Sequence, residues 1–315
     1  MDWIELLPLI LRGWIRLTVS VAFGIALGAL LEVSGLLEKI SRVLLPLMKR
    51  SKLPAVCTSS FLLSFASPRS ANSLLASYRS DGLISRRSLI LGGIAHSFPA
   101  SFVHIRTSMF IIIPLLGTAG AVYAGFQITI NALCSLSVIL LGHIWKEQEP
   151  CSTPISNNPS NAPRSGLIEL MTRRFKRIYP RVMLISFPLF IVISILSRYG
   201  VFDRINEVLP SALTRVLPSQ SIGILTGHLS GVLNAAVIAQ PLLDGGDINS
   251  RQLVFTLIIG YALSLPIRTL RHVLPSALGI FPERTGLTIV AYTQGFKLAL
   301  TAALIACILL LGVNA

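Results

Sequence analysis

Residues 82–90 have the sequence Gly-Leu-Ile-Ser-Arg-Arg-Ser-Leu-Ile, and residues 246–254, which begin 164 positions later, have Gly-Asp-Ile-Asn-Ser-Arg-Gln-Leu-Val. A Leu-Pro pair at 53–54 recurs with the same spacing at 217–218. Three further matches have spacings that drift towards 170: 35–46 with 200–210, Pro99 with Pro266, and 117–125 with 286–295. The chain therefore contains one structural unit twice.

The composition is that of an integral membrane protein. Hydrophobic residues make up 53% of the 315 residues, charged residues only 13%, and the mean hydropathy is +0.73. A soluble domain usually carries about 25% charged residues. The net charge of +14 comes mostly from Lys and Arg that flank apolar segments, which favours lipid headgroups and membrane topology over nucleic acid as the explanation. We expect anionic lipid at the basic loops and no nucleic-acid partner.

Motifs for catalysis or cofactor binding are not found in the sequence. The four cysteines have no CxxC spacing, and neither a phosphate-binding Gly-x-x-x-x-Gly-Lys-Ser/Thr loop nor a His-Glu-x-x-His zinc motif occurs. Residues 227–231 form Gly-x-x-Ser-Gly, which differs from the Gly-x-Ser-x-Gly motif of serine hydrolases. The sequence predicts a protein that is not an enzyme, with no cofactor and no metal.

Each copy is predicted to contain the same five elements. These are a membrane span, an amphipathic helix in the interface, a re-entrant hairpin of two half-length helices, a long helix broken near a proline, and a final span. In the first copy the elements are 9–34, 36–50, 54–79, 86–116 and 120–145. In the second copy they are 181–199, 203–217, 219–244, 251–281 and 286–312. No signal peptide with a cleavage site is evident, so we expect the first span to be retained.

The predicted fold class is an all-α polytopic membrane protein built from two inverted repeats. Residues 1–145 form the first repeat, the proline-rich segment 146–166 is a linker, and 167–315 form the second repeat. Each repeat has three transmembrane helices, an interfacial helix and a re-entrant hairpin. Because three crossings is an odd number, the second repeat would have the opposite orientation to the first.

The distribution of basic residues supports this topology. The loops expected on one side carry 15 Lys and Arg, and those expected on the other side carry 3. The positive-inside rule then places the linker in the cytoplasm and both termini outside, for a multi-pass protein of the cell membrane. If the hairpins cross the bilayer completely, the repeats are parallel instead and the charge asymmetry is weaker.

The order of elements resembles the Gate-domain, or nucleoside recognition, membrane proteins, whose relatives include spore maturation proteins, ferrous-iron transport protein B and concentrative nucleoside transporters. The residues that carry the resemblance are Ser67-Pro68-Arg69-Ser70-Ala71-Asn72 with 81–85 in the first copy, and 227–234 with 246–248 in the second. The resemblance implies that solute binds between the two hairpin tips and the two broken helices, and it allows a homo-oligomer. By position it implicates Ser67, Arg69, Ser70, Asn72, His96, Ser97, Ser101, His228, Ser230, Asn234, Ser264, Arg268 and Thr269.

Arginines within the membrane segments suggest the charge of the solute. A charged residue at the centre of a bilayer costs at least about 2.5–3.5 kcal/mol, so Arg69 and Arg268 are expected to face a solute or a partner. Arg106 and Arg271 could contact solute, extend to headgroups or cap helix carbonyls. No Asp or Glu occurs in a predicted tip or break. Proton relay and hydrogen bonding to a broken helix both remain open for the histidines His96, His104, His228 and His272.

Two functions follow from these features. The first is a transporter of a small polar, anionic solute that works by alternating access between the hairpin tips and the broken helices. The second is a non-transporting membrane scaffold or regulatory partner of another membrane complex, which would dock through the basic segment 173–177.

Overall fold

The computed structural model describes residues 50–54, 56–145, 217–282 and 284–310, with isolated positions between 8 and 22 and between 168 and 180. Five predicted elements lie almost entirely outside the described residues: spans 9–34 and 181–199, interfacial helices 36–50 and 203–217, and linker 146–166. The side chains of Arg106 and Arg271 also lie outside what is described.

Helices account for all regular structure in the described ranges. In the first copy they are α1 Cys57–Ser64, α2 Pro68–Ser80, α3 Arg86–Ala95, α4 Ser97–His104, π1 Ile105–Met109, α5 Phe110–Leu116 and α6 Thr118–Ile144. In the second copy they are α7 Ser221–Ser230, α8 Val232–Asp244, α9 Ser250–Arg268, π2 Thr269–Val273, α10 Leu274–Ile280 and α11 Thr285–Leu310. These bounds agree with the predicted elements to within three residues.

Four of the described helical segments are long and apolar enough to cross a membrane. They are Arg86–Leu116, Thr118–Ile144, Ser250–Arg268 and Thr285–Leu310. The hairpin helices are shorter, with 8 and 13 residues in the first pair and 10 and 13 in the second. A helix needs about 20 residues to span the hydrocarbon core. The all-helical class and the membrane character of the chain agree with the sequence prediction.

The repeated segment forms the same turn in both copies. Gly82 and Gly246 have φ angles of 71° and 79°, a left-handed conformation that glycine adopts without strain. Two residues later, Ile84 and Ile248 are buried beneath the turn. A capping residue follows and a long helix begins, so the matching sequence specifies a matching change of direction.

The cap of each long helix is polar and differs between the copies. The Ser85 hydroxyl accepts from the Ser88 amide at 3.2 Å at the start of α3. At the start of α9, the Asn249 side chain accepts from the Gln252 amide at 2.9 Å, and the Gln252 side chain accepts from the Asn249 amide at 3.1 Å. This capping box and the serine cap satisfy amides that have no partner within the helix.

Two apolar cores hold the described helices together, and each core takes residues from both copies. In one core, hairpin α1–α2 and helix α3 pack with second-copy residues such as Phe281 and Ile289. In the other, hairpin α7–α8 and helix α9 pack with first-copy residues such as Ile112 and Tyr123. Each copy therefore completes the core around the other copy's hairpin.

Of the two breaks that the sequence predicts, the one at 96–101 is present and the one at 264–269 is not, and both long helices have a further irregular turn. In the first copy a single residue, His96, separates α3 from α4, whereas in the second copy α9 continues through Pro266 to Arg268. Both helices then contain a π-helix, at Ile105–Met109 and Thr269–Val273, which begin 164 residues apart. The irregularity common to both copies is thus a wider helical turn on the far side of each proline.

Ser135 of α6 replaces the backbone hydrogen bonds that are lost next to Pro99. Proline has no amide hydrogen, so the carbonyl of Ala95, four residues earlier, has no helical donor. The Ser135 hydroxyl donates to this carbonyl at 2.7 Å and accepts from the Phe98 amide at 2.8 Å. Ser135 is 1% exposed, so water does not supply these bonds.

We expect Ser135→Ala to lower the free energy of unfolding by roughly 1–3 kcal/mol, because it leaves a buried carbonyl and a buried amide unpaired. Equilibrium unfolding in detergent micelles measures this change. The matched control is Ser137→Ala in the same helix, since the Ser137 hydroxyl bonds only to the carbonyl of Cys134 within its own helix. Equal stability of the two variants would show that the Pro99 region does not depend on Ser135.

Candidate functional site

The polar side chains of the first hairpin tip mostly hold the tip itself. Ser67 is the N-cap of α2 and accepts from the Ser70 amide at 3.3 Å, and the two hydroxyl oxygens lie 2.7 Å apart. Arg69, the second residue of the same helix, is exposed. The tip therefore offers one outward-facing positive charge beside a closed serine pair.

The second tip has an equivalent arrangement. Ser230 donates to the Gly227 carbonyl at 2.8 Å and accepts from the Asn234 amide group at 3.0 Å. Between them Gly231 has a φ of 156° and joins α7 directly to α8. Ser230 and Asn234 thus bridge the junction between the two hairpin helices.

Three predicted hydroxyls bond to carbonyls of their own helices. Ser101 donates to Phe98 at 2.6 Å, Ser264 to Tyr261 at 3.1 Å, and Thr269 to Leu265 at 2.7 Å. Such bonds are common for Ser and Thr in helices. These groups retain lone pairs, so they could accept a hydrogen bond from a solute but have already used their one proton.

His96 connects the first hairpin to the junction of α3 and α4. Its Nδ1 lies 2.8 Å from Asn72 Oδ1, and its Nε2 lies 3.3 Å from the hydroxyl of Ser60 in α1. His96 is 3% exposed. The structure therefore brings together two of the predicted residues, Asn72 and His96, with a serine that the sequence did not single out.

His228 connects the second hairpin to the first copy. Its Nε2 lies 2.9 Å from the Tyr123 hydroxyl, which accepts from the Gln127 amide at 2.6 Å. The other ring nitrogen, Nδ1, is buried and has no partner among the described residues. The tautomer of His228 determines whether Nε2 or the Tyr123 hydroxyl donates in this pair.

The two histidines occupy equivalent interfaces from opposite sides. At the spacing of 164, His96 corresponds to Gly260 of α9, and His228 corresponds to Ser64 of α1. A Cβ atom on Gly260 would lie 2.9 Å from Cγ and Cδ2 of His228. Each copy thus has one imidazole between its first hairpin helix and its long helix, supplied by the long helix in one copy and by the hairpin in the other.

We expect Gly260→Ala to displace the His228 ring and to destabilise the protein by about 1–3 kcal/mol, the usual cost of overpacking a core. Loss of the contact with Tyr123 would appear as a changed tyrosine signal in the near-ultraviolet circular dichroism spectrum. Gly125→Ala is the control, because a Cβ there meets nothing within 4 Å. An unchanged spectrum and unfolding midpoint for Gly260→Ala would contradict the proposed contact.

A group of basic residues lies where the two copies meet. Arg268 precedes π2, with its Cζ 5.4 Å from the centre of the Tyr261 ring. His104 precedes π1 as Arg268 precedes π2, and the two residues are 164 positions apart. Lys297 is the thirteenth residue of the 26-residue helix α11. The charge of Arg268 acts on both His104 and Lys297, and that of Lys297 acts on His104. These three residues are called the basic cluster below.

Arg268 also lies within electrostatic range of the His228 and Tyr123 pair. Lys297 lies within range of Cys134, whose thiol donates to the predicted residue Ser97 at 3.5 Å. Side chains from both copies therefore surround Arg268 and Lys297. The hydrogen bonds that the structure describes for the hairpin-tip serines Ser67, Ser70 and Ser230 are instead made within their own hairpins.

The basic cluster has no acidic partner in the described spans. None of the four helical segments that could cross the membrane contains Asp or Glu. The Lys297 side chain is partly exposed and forms no hydrogen bond or ion pair with any residue that the structure describes, whereas its carbonyl accepts from the Thr301 hydroxyl at 2.7 Å. Within those same residues, no group of three His, Cys, Asp or Glu side chains could hold a metal ion. The arrangement suits an anion in preference to a cation.

The sequence prediction did not include Lys297, Tyr123, Gln127 or Tyr261. A signal for Lys297 was present, since it is the only charged residue in α11. It also falls within a repeated motif, because 125–127 is Gly-Phe-Gln and 295–297 is Gly-Phe-Lys. The Gly-Phe pair is thus followed by a neutral residue in the first copy and by a positively charged residue in the second, although the two residues lie at different distances from the starts of α6 and α11.

The chain is similar along most of its length to three uncharacterized proteins of Methanocaldococcus jannaschii. One is 26% identical over 300 residues, which cover 94% of this chain and 93% of that protein. The other two are 23% and 22% identical, over 91% and 82% of this chain and 92% and 86% of their own lengths. No protein-family model matches the chain, and no solved structure matches it. These relatives span nearly the same chain and are themselves uncharacterized.

Proposed function

We propose that the protein is an integral membrane transporter of a small polar, anionic solute, with an architecture like that of the Gate-domain family. The observation that carries the proposal is the pair Arg268 and Lys297. Both belong to apolar helices, both are partly exposed, and neither has an acidic partner in the described spans. Because a lone charge in a membrane helix is costly, such residues usually contact a solute or ion pathway.

The contacts between the copies support a site between two moving halves. His104 comes from the first copy, whereas Arg268 and Lys297 come from the second. Each apolar core also contains the hairpin of one copy and the final helix of the other. In the proposed mechanism the hairpins are re-entrant and the repeats are inverted, so rocking one core against the other exposes the cluster alternately to each side.

The π-helices π1 and π2 favour this location for the site. A π-helix widens one turn and leaves backbone groups without their usual partners, and such turns often occur at functional positions. His104 and Arg268 immediately precede π1 and π2. A solute at the basic cluster would therefore meet two side chains whose backbone lies at an irregular turn.

Transport is tested with purified protein in liposomes, by measuring uptake of radiolabelled phosphate, sulfate, succinate, glutamate and uridine. We expect at least one of the four anions to enter faster than into protein-free liposomes, and Arg268→Gln or Lys297→Gln to reduce this rate by tenfold or more. The matched control is Arg251→Gln, which neutralises an exposed arginine at the other end of α9. Uridine tests the neutral solute that the family name suggests.

Two results would contradict the proposal. One is uptake that is unchanged by Arg268→Gln and Lys297→Gln. The other is the absence of uptake of every probe by protein that is folded in the liposomes. The second result would favour a membrane scaffold or regulatory partner, and neutralising the basic segment 173–177 would then be the informative change.

A further inference from the structure

We propose that the basic cluster binds a small oxyanion with two negative charges. This inference rests on the proposed anion transport and specifies the class of substrate. The two strongly basic side chains at the site are Arg268 and Lys297, and a bound anion favours the charged form of each. The described spans contain no acid to balance them. A doubly charged anion neutralises both cations, whereas a singly charged anion leaves one uncompensated in a region of low dielectric constant.

The chemistry of the surrounding groups fits oxygen atoms as ligands. Arginine has a planar group with donors in a fork that matches two oxygens of one anion, and lysine acts as a compact charge with three donors. Arg268 lies against the Tyr261 ring, with its Cζ 5.4 Å from the ring centre. This stacking limits the orientations of the guanidinium group, so the fork is partly preorganised before the anion binds.

The neutral groups near the two cations are mostly donors or can act as donors. The Cys134 thiol and the Ser97 hydroxyl are within hydrogen-bond distance of each other and lie near Lys297. Arg268 also acts electrostatically on His228, whose Nδ1 atom is buried and has no hydrogen-bond partner in the described part of the chain. Since no carboxylate lies among these groups, nothing described there would repel a second negative charge.

The two copies differ in the residue that follows a repeated Gly-Phe pair. It is Gln127, the tenth residue of α6, in the first copy and Lys297, the thirteenth residue of α11, in the second. The Gln127 side chain donates to Tyr123 at 2.6 Å and is satisfied within the protein, whereas the Lys297 side chain has no hydrogen-bond partner among the described residues. The site is therefore asymmetric, and Lys297 is the residue that distinguishes a doubly charged anion from a singly charged one.

The test compares sulfate with perchlorate, which have the same tetrahedral shape but carry two charges and one. Equilibrium dialysis of the full-length protein in detergent, with radiolabelled sulfate below 1 mM, gives the sulfate affinity, and displacement gives the perchlorate affinity. We expect saturable binding of one sulfate and at least about tenfold weaker binding of perchlorate. In Lys297→Gln, sulfate affinity should fall by tenfold or more while perchlorate affinity changes much less, so the preference for two charges is lost.

A dissolved anion and a lipid phosphate monoester have the same charged group. Mixed micelles with phosphatidic acid separate these sources, because displacement of sulfate by the lipid at lower concentrations than by free phosphate would identify a headgroup as the bound species. Arg251→Gln is the control and should bind sulfate like the unchanged protein. The circular dichroism spectrum of each variant establishes that it is folded.

The proposal is overturned if perchlorate binds as tightly as sulfate, if Lys297→Gln keeps the preference for sulfate, or if folded protein binds no sulfate. The first two results leave the proposed anion transport intact, because a protein without a preference for two charges can still transport anions. Absence of both sulfate binding and anion uptake would refute the two proposals together.

Discussion

Replacing Arg87 with Met should lower the free energy of unfolding by about 3–6 kcal/mol, the sum of two hydrogen bonds from a charged group at about 1.5–3 kcal/mol each. Arg87 is buried at the start of α3, with 3% of its surface exposed. Its Nε donates to the Trp145 carbonyl at 2.6 Å and its Nη2 to the Gly142 carbonyl at 2.8 Å. Equilibrium unfolding in mixed detergent micelles measures the loss.

The physical reason lies at the end of α6. The last carbonyls of a helix have no amide partner within the helix, and they carry the negative end of its dipole. Arg87 provides both donors and a positive charge at this end. The backbone is also closely packed there, since a Cβ atom on Gly142 would lie 2.1 Å from the Ser51 carbonyl oxygen. Water therefore has little room to replace the guanidinium group.

Arg86→Met is the matched control for Arg87→Met, because the neighbouring arginine is exposed. It should change stability by less than about 0.5 kcal/mol, as is usual for surface substitutions. If the two variants unfold at the same detergent concentration, Arg87 does not hold α3 and α6 together.

The turn before each long helix could be predicted from the sequence because local chemistry determines it. Gly82 and Gly246 permit a left-handed residue, and Ser85 and Asn249 supply caps, so a match of nine residues specified the same geometry twice. The interlocked cores could not be predicted in this way. Whether Ile289 packs on the hairpin of its own copy or on that of the other depends on helix packing, which leaves no local pattern in the sequence.

The predictions for the long helices show a similar limit. Proline marks a missing donor, and for that reason the sequence predicts breaks near Pro99 and Pro266. The first long helix is interrupted at His96, and the donor that is missing next to Pro99 is supplied by Ser135 of another helix, 40 residues from Ala95. Pro266 is accommodated within a continuous helix, and the widened turn follows it. Whether a proline interrupts a helix thus depends on which side chains lie beside it in three dimensions.

Among the residues proposed for the site, the sequence identified those next to Pro99, next to Pro266 and at the two hairpin tips. The structure brings Asn72 to His96, and it places Arg268 near His228. Sequence position could not show that Lys297 lies in the same region, because α11 is separated from the predicted breaks by a further helix. The sequence does contain a signal for Lys297, because it is the only charged residue in an apolar helix and such a charge is costly in a membrane.

Replacing Lys297 with Met should stabilise the protein when no anion is present, by about 1–3 kcal/mol. Methionine removes a charge that costs about 2.5–3.5 kcal/mol at the centre of a membrane helix. The gain is smaller than this cost because Lys297 is partly exposed and the unfolded chain in a micelle also solvates the charge. Residues placed for function commonly reduce stability in this way. Thermal unfolding in anion-poor buffer measures the gain.

The same variant should lose the stabilisation that a bound anion gives. A ligand present at 100 times its dissociation constant raises the free energy of unfolding by about 2.7 kcal/mol, so adding sulfate should stabilise the unchanged protein more than the variant and reduce the difference between them. Gln127→Met is a useful comparison, because Gln127 follows the matching Gly-Phe pair in α6. It should destabilise under both conditions, because Gln127 donates to the buried hydroxyl of Tyr123.

A lower stability of Lys297→Met in the absence of anion would contradict this account, since it would mean that the lysine already has a partner within the protein. Lys297 would then contribute to the fold as one half of an ion pair, and the charge available to a solute would be that of Arg268 alone. The sign of a single stability measurement therefore distinguishes a lysine that holds the protein together from one that is kept unpaired for an anion.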